Sequence, residues 1–327
     1  MKLPFLLLIA AGAAQAQTLV VLNKSDANVS LIDAASGNTL AKIPVGRGPH
    51  EVALSSDGRV AYVANFGRYS RPASDTMRTM PGRSISVLDL ERRDTKALQD
   101  FAAYSGIHGV ATSRDGTLLW FTSEAPNMVV ELDLKTNVVR YAWPTGGQRT
   151  HLVLPSPDET RLYITSTISG SLAIVDRATG KTTQIPIGPG AEGLTISPDG
   201  KELWVARRDD SKISIVSTAT NTVIDSLSAG GGGPQRVRFT PDGLQVWSSN
   251  VQSNTVTIFD ARSRKLIGSV SVGAGPAGSV FSADGKTAFI ALSGADQIAV
   301  IDVASHKVLR NITTGAEPDG IAWRAPR

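Results

Sequence analysis

A tandem repeat of about 42 residues constrains this chain more than any other feature. Its clearest mark is an Asp in a tight turn, usually followed by Gly, at Asp57, Asp115, Asp158, Asp199, Asp242 and Asp284, with intervals of 58, 43, 41, 43 and 42. A fixed period of this size means one supersecondary unit stacked many times. Each period carries four short strand signals. One begins as Pro49-His50-Glu51-Val52-Ala53-Leu54 and ends in a Ser-x-Asp-Gly turn, where Asp bonds its own backbone and Gly accepts positive φ. The next reads Val60-Ala61-Tyr62-Val63-Ala64-Asn65, the third Ile298-Ala299-Val300-Ile301-Asp302, the fourth Lys42-Ile43-Pro44-Val45. Alternation over four to six residues between turn clusters is the β signature.

Aligned repeats sort residues into columns. Val20, Tyr62, Trp120, Tyr163, Trp204, Trp247 and Phe289 share one place in the second strand. A bulky residue recurring there fills the space between neighbouring sheets, so this column reads as core rather than as a stacking platform. Asp33, Asp89, Asp133, Asp176, Asp260 and Asp302, with Ser217 as the exception, close the third strand and read as turn residues. Seven first strands are present, near Val52, Val110, Leu152, Leu194, Val237, Val280 and Ile321. The chain begins in mid-repeat and ends on a lone first strand, Pro318-Asp319-Gly320-Ile321-Ala322-Trp323. The two fragments complete one unit and close a ring. The expectation is an all-β, seven-bladed β-propeller with four-stranded blades, its last blade shared by both termini.

Tyr62-Val63-Ala64-Asn65, the Gly-x-x-Pro lead-in to the first strand and the Ser-Pro-Asp-Gly turn at 197–200 resemble the YVTN-repeat β-propeller family of YncE-like proteins. The resemblance runs over essentially all of residues 17–327. It implies a secreted or periplasmic propeller. Similar propellers bind haem, DNA or protein, and related ones include lactonases and a streptogramin lyase.

Lys2, the apolar run Leu3 to Gly12 and Ala14-Gln15-Ala16 form a secretory signal, with cleavage expected after Ala16 and one propeller domain over 17–327. That run is too short for a stable membrane anchor, so the expectation is a periplasmic, soluble monomer. The chain has no Cys, which excludes disulfides, thiolate metal sites, Cys nucleophiles and covalent haem. A formal net charge of +4 and a pI near 9.4 reflect a small, scattered basic surplus. Nucleic acid is disfavoured, because single strands need aromatic platforms among basic residues and only Phe66, Tyr69 and Trp143 fall outside the core assignment.

The first residues of the inner strands surround one mouth of the central channel. There the column reads His50, His108, His151, Glu192, Gln235, Ala277, Asp319, so three of the four histidines fall on consecutive blades. Imidazoles are ligands for zinc, copper or iron, which makes His50, His108, His151 and Glu192 a candidate divalent-metal arc. Histidine can also exchange protons near neutrality. The alternative is a polar rim copied by repeat ancestry. The fourth, His306, falls in a turn on the other face and reads as solvated. Arg149 and Arg236 flank the column, and Arg207 ends a second strand beside Asn23, Asn65, Ser123, Ser166 and Asn250. With Gln235, Asp319, Arg68 and Arg71 they are the candidate ligand-binding residues. An anion suits the arginines, and a cation suits Glu192, Asp319 and Glu124.

The second departure from the repeat lies on the same face. Asn65 to Asp89 spans 24 residues where regular blades use 10, an insertion centred on 66–83 with Arg68, Arg71, Arg78 and Arg83. Long loops in compact domains are functional or disordered; this one is expected to act as a lid, a protein contact or a solvated loop. Two function classes follow: a binding or interaction protein holding a small molecule, metal, cofactor or protein partner at the mouth, or a metal-dependent lactonase or lyase acting at the histidine arc.

Overall fold

The computed structural model describes residues 17–68 and 80–325. The expected signal peptide, Tyr69 and most of the insertion, including Arg71 and Arg78, lie outside the described residues. Alternating apolar residues between Asp and Gly turns form seven four-stranded antiparallel sheets. Six are continuous in sequence: blade 1 (49–100), blade 2 (105–144), blade 3 (150–186), blade 4 (191–228), blade 5 (234–271) and blade 6 (276–313). In blade 7 the C-terminal strand Pro318–Arg324 is innermost and pairs antiparallel with Thr18–Asn23, which is followed by Asn28–Asp33 and Thr39–Pro44. The ring therefore closes as the half-repeats at the two ends predict. Among the described residues no helix is long and apolar enough to cross a membrane.

The aromatic column packs between blades. Trp120, Trp204, Trp247, Tyr163 and Phe289 are 0–2% exposed. Trp120 of blade 2 joins one core cluster with Leu162 and Ile164 of blade 3. Burial obliges each indole N–H to find a partner: Trp120 donates to Glu131 at 2.9 Å and Trp247 to Gln245 at 2.8 Å. Arg177 completes the Glu131 pair at 2.8 Å and covers the Trp120 ring. The third-strand Asp column caps turns as expected; Asp133 Oδ1 accepts from the Thr136 N–H at 2.8 Å, and Asp302 Oδ1 from Ser305 at 2.8 Å. Two expectations need correction. Phe66 and Trp143 are each 7% exposed, so neither offers a stacking platform. His306 is half-buried with its ring edge-on to Trp247 at 5.8 Å, not a solvated turn residue.

Candidate functional site

One backbone device, repeated around the ring, brings the loops between second and third strands to the inner-strand starts. In every blade but blade 2 the residue preceding the inner strand is left-handed: Gly48, Arg149, Gly190, Gly233, Gly275 and Glu317 have φ between 57° and 69°. Its carbonyl accepts the N–H of the residue that follows the second strand, as in Phe66 to Gly48 at 3.0 Å, Arg208 to Gly190 at 3.0 Å and Lys24 to Glu317 at 3.1 Å. Phe66, Arg208 and Lys24 are thereby fixed above His50, Glu192 and Asp319 of their own blades. Neighbouring inner strands also come very close. A Cβ on Gly320 would lie 2.6 Å from the His50 carbonyl, so only glycine permits that approach.

The column predicted from the alignment does assemble. His50 and His108 lie with ring centroids 4.2 Å apart, and His108 and His151 3.9 Å apart. Phe66, at the base of the insertion, closes over them at 5.2 Å from His50 and 5.0 Å from His108. The hairpin continues two pairs beyond the repeat, through Gly67 with Pro81 and Arg68 with Met80. Arg83 pairs with Asp100 at 2.9 Å on the surface, away from the column.

Charges interleave around these rings. Asp319 is fully buried, pairs with His50 and lies 3.5 Å from Lys24. Glu192 is 2% exposed and meets Arg208 at 2.7 Å, with Arg236 and His151 each at 3.9 Å. Arg236 of blade 5 also pairs with Glu51 of blade 1. Two blades separate these partners one way round the ring and three the other, so this ion pair crosses the lumen.

Burial and charge compete at each group. Desolvation raises Glu192 above the ordinary carboxylate range, and Arg208 and Arg236 do not overcome it. For Asp319 the balance reverses: desolvation opposes ionisation, but Lys24, His50 and Arg236 together hold it well below that range. Burial and then the neighbouring His151 keep His108 well below the usual imidazole range, and burial followed by Arg236 does the same to His151. Both are neutral at pH 7. Glu124, at the rim, is pushed up to about 7 by burial. Arg149 approaches it at 3.7 Å, but with its side chain 35% exposed its charge is too well solvated to offset that.

The structure separates the remaining candidates. Gln235 is half-buried within the column, and Arg149 stands at the rim. Arg207 is not part of the mouth chemistry. Its guanidinium is tied to Asp210 and reaches Ser226 at 3.2 Å, taking the place where Asn23 and Asn250 bond Ser30 and Thr257 within their own blades. Among the described residues no group of three or more His, Asp or Glu is arranged to hold a metal ion. The imidazoles lie ring against ring and do not converge on one point. His108 Nδ1, His151 Nδ1 and Asp319 Oδ1 are buried without a hydrogen-bond partner among the described residues.

Sequence reasoning missed four contributors. Lys24 and Glu51 carry charges that only the closed ring brings to the mouth. Thr122 accepts the Gly109 N–H at 2.7 Å and donates to the His151 carbonyl at 2.5 Å. Thr165 accepts from Leu152 at 3.3 Å and donates to the Glu192 carbonyl at 2.7 Å. Each threonine fixes the column residue of the next blade. The signal was present: Leu22, Ala64, Ala206, Ser249 and Ala291 fill the same column elsewhere, and threonine appears only where His151 or Glu192 follows.

Comparison with known proteins agrees with this architecture. The family model described as a seven-bladed beta-propeller lactonase matches residues 143–267. The seven-bladed beta-propeller protein Rv1057 of Mycobacterium tuberculosis is 29% identical over 125 residues, covering 36% of this chain. The chain spans about a third of the length of the curated relatives it matches, 32% for this one. Among solved structures, a functionally unknown protein from Desulfotomaculum acetoxidans superposes with a TM-score of 0.77 at 17% identity, over 95% of this chain and 100% of that one. The periplasmic gluconolactonase PpgL of Pseudomonas aeruginosa gives 0.74 at 18% identity, over 95% and 99%. These similarities establish the fold.

Proposed function

We propose that this chain is an exported binding protein whose channel mouth takes a small polar molecule, a sugar or sugar acid by its chemistry. The observation that carries the reading is the concentration of Asp319, Glu192, Arg236, His108 and His151 at one mouth, all at most 8% exposed. Buried ion pairs add little net stability, because desolvation offsets their attraction. A scaffold has no need to gather so many, whereas binding sites do gather perturbed groups. Half-exposed Gln235 and the ion-paired Lys24 and Arg208 offer donors, and Glu51 offers an acceptor, to hydroxyl and carbonyl groups. Export rests on the N-terminal signal.

A second reading, hydrolysis of a lactone, is favoured by the lactonase model over 143–267, a range that includes His151, Glu192 and Arg236. Glu124, poised near neutrality, is the group suited to exchange a proton there. Water would add to the ring carbonyl, the ring C–O bond would break, and the product would be a hydroxy acid with release of one proton.

Thermal shift and titration calorimetry with glucose, gluconate and glucono-lactone test the first reading. A ligand at a hundred times its Kd stabilises by about 2.7 kcal/mol, and Gln235→Ala and Lys24→Met should weaken it. If none of these sugars shifts the Tm, or if both variants bind as the parent does, the mouth is not the binding site. Proton release from the lactone, followed with and without added zinc, separates the second reading. Turnover lost in Glu124→Gln supports an enzyme, and no release above background removes it.

A further inference from the structure

A second charged feature lies deeper in the lumen and is independent of the mouth reading. The inner strand of blade 5, Pro234–Phe239, carries Arg236 and Arg238. Alternate residues leave a strand on the same side, so both guanidinium groups are directed alike. Arg236 is spent on the pair with Glu51 that crosses the lumen, and on Glu192. Arg238 stands one alternation, about 7 Å, farther from the mouth.

Arg238 differs from every other charge near the axis. Lys24, Arg208 and Arg236 each have carboxylate partners, and Glu51, Glu192 and Asp319 are all taken by them or by histidine. Among the described residues Arg238 makes no ion pair and no side-chain hydrogen bond. It is exposed by area. Yet the surrounding protein desolvates it, and that burial, with the like charge of Arg236, outweighs the attraction of Glu51 and holds it below the ordinary guanidinium range. It stands on the inner strand, on the side from which Arg236 reaches across the lumen, and its exposed side chain is directed that way. The same level of the other six inner strands carries Ala53, Ala111, Leu154, Thr195, Val280 and Ala322, none of them charged. Three of these are alanines, with short side chains. Thr195, on the neighbouring strand, supplies a hydroxyl at that level.

We propose that the lumen holds a small anion, a carboxylate or a phosphate, on the Arg238 guanidinium, beyond the Glu51–Arg236 pair as seen from the mouth. The planar guanidinium presents two parallel N–H donors to either group. An anion there neutralises a guanidinium that has no ion pair among the described residues and relieves its repulsion with Arg236. The Glu51–Arg236 pair separates this site from the mouth, so the two differ in ligand charge: polar and hydroxyl-bearing above, anionic below.

The test uses the whole mature chain at constant ionic strength, with chloride replaced stepwise by inorganic phosphate or by acetate, and glucose as the neutral control. Binding is read by titration calorimetry and Tm. The parent should bind phosphate or acetate, and comparison of the two identifies the preferred acid group. Arg238→Gln should weaken that binding at least ten-fold, with Arg238→Lys intermediate, while glucose behaves as in the parent. Without added anion the Arg238→Gln Tm should equal or exceed that of the parent, because an unpaired charge has been removed; this separates lost binding from lost folding. The proposal is overturned if the parent binds neither anion, or if Arg238→Gln binds as tightly as the parent. It is equally overturned if Lys24→Met abolishes anion binding and Arg238→Gln does not, which would put the anion at the mouth.

Discussion

Replacing Arg236 with Met tests whether the pair across the lumen holds the ring together or only loads it. Arg236 is 8% exposed, and its guanidinium serves Glu51 and, at 3.9 Å, Glu192. Met keeps the methylene packing and removes the charge, leaving two carboxylates with reduced compensation, one of them 2% exposed. Removing one member of a buried pair costs about 3–5 kcal/mol. An unfolding entropy of about 2.1 cal/mol/K per residue over roughly 300 residues is about 0.6 kcal/mol/K, so Tm should fall by roughly 5–8 °C. The double variant Arg236→Met with Glu51→Gln removes both ends, and its loss should be smaller than the sum of the singles by about 0.5–3 kcal/mol. Scanning calorimetry of the four proteins at pH 7 measures this, with urea melts checking that the transition remains cooperative. If Arg236→Met melts within about 1 °C of the parent, the pair contributes nothing and the argument from uncompensated buried charge fails. Additive single losses would show that the two groups act independently.

Stability should also depend on pH in a direction fixed by Glu124 and the two buried histidines. Glu124 has its folded pKa raised to about 7, so its stabilising contribution is full below its unfolded value near 4.5 and is lost as pH rises through 7. That loss is at most about 3 kcal/mol, and Glu124→Gln should flatten the Tm–pH curve between pH 4.5 and 7. His108 and His151 act oppositely: their folded pKa values are depressed, so stability falls as pH drops below 6.5 and the unfolded chain takes up protons first. In the core, Trp120→Ala should cost about 3–5 kcal/mol in urea unfolding. Trp120→Phe should cost less, with about 1–3 kcal/mol of its loss arising from the Glu131 carboxylate deprived of the indole donor. Equal losses for the two substitutions would contradict a packing role for that column.

Much of the candidate site was legible because repeats align residues that share an environment. His50, His108, His151, Glu192, Gln235 and Asp319 could be placed at one mouth by position alone, since each falls at the same place in the repeat, the second residue of an inner strand in every blade but blade 2, where two further residues precede His108 in the strand. The same alignment misjudged Arg207, which shares a column with Asn and Ser residues and does their structural work. It also suggested a metal arc from residue types. A column fixes the level of a side chain in the ring but not the direction of its nitrogen atoms, and here the rings pack against one another in tilted pairs. Thr122 and Thr165 leave only a trace in the sequence, a threonine in two places of one column, because their partners are backbone carbonyls of the next blade.

The sequence by itself determined the number of blades, the four-stranded unit, the interblade column and the joining of both chain ends in one blade. These follow from period, alternation and turn chemistry, all of which act over a few residues. Only the tertiary structure decided which charges meet. Glu51 and Arg236 are 185 positions apart and pair because ring closure sets blades 1 and 5 across the lumen from each other. It also decided which groups lose their water, which makes Glu192 harder to ionise, Asp319 easier, and leaves Arg238 without an ion pair among the described residues. Local pattern is written in neighbours along the chain. Desolvation and Coulomb energy depend on neighbours in space, and those exist only once the ring is closed.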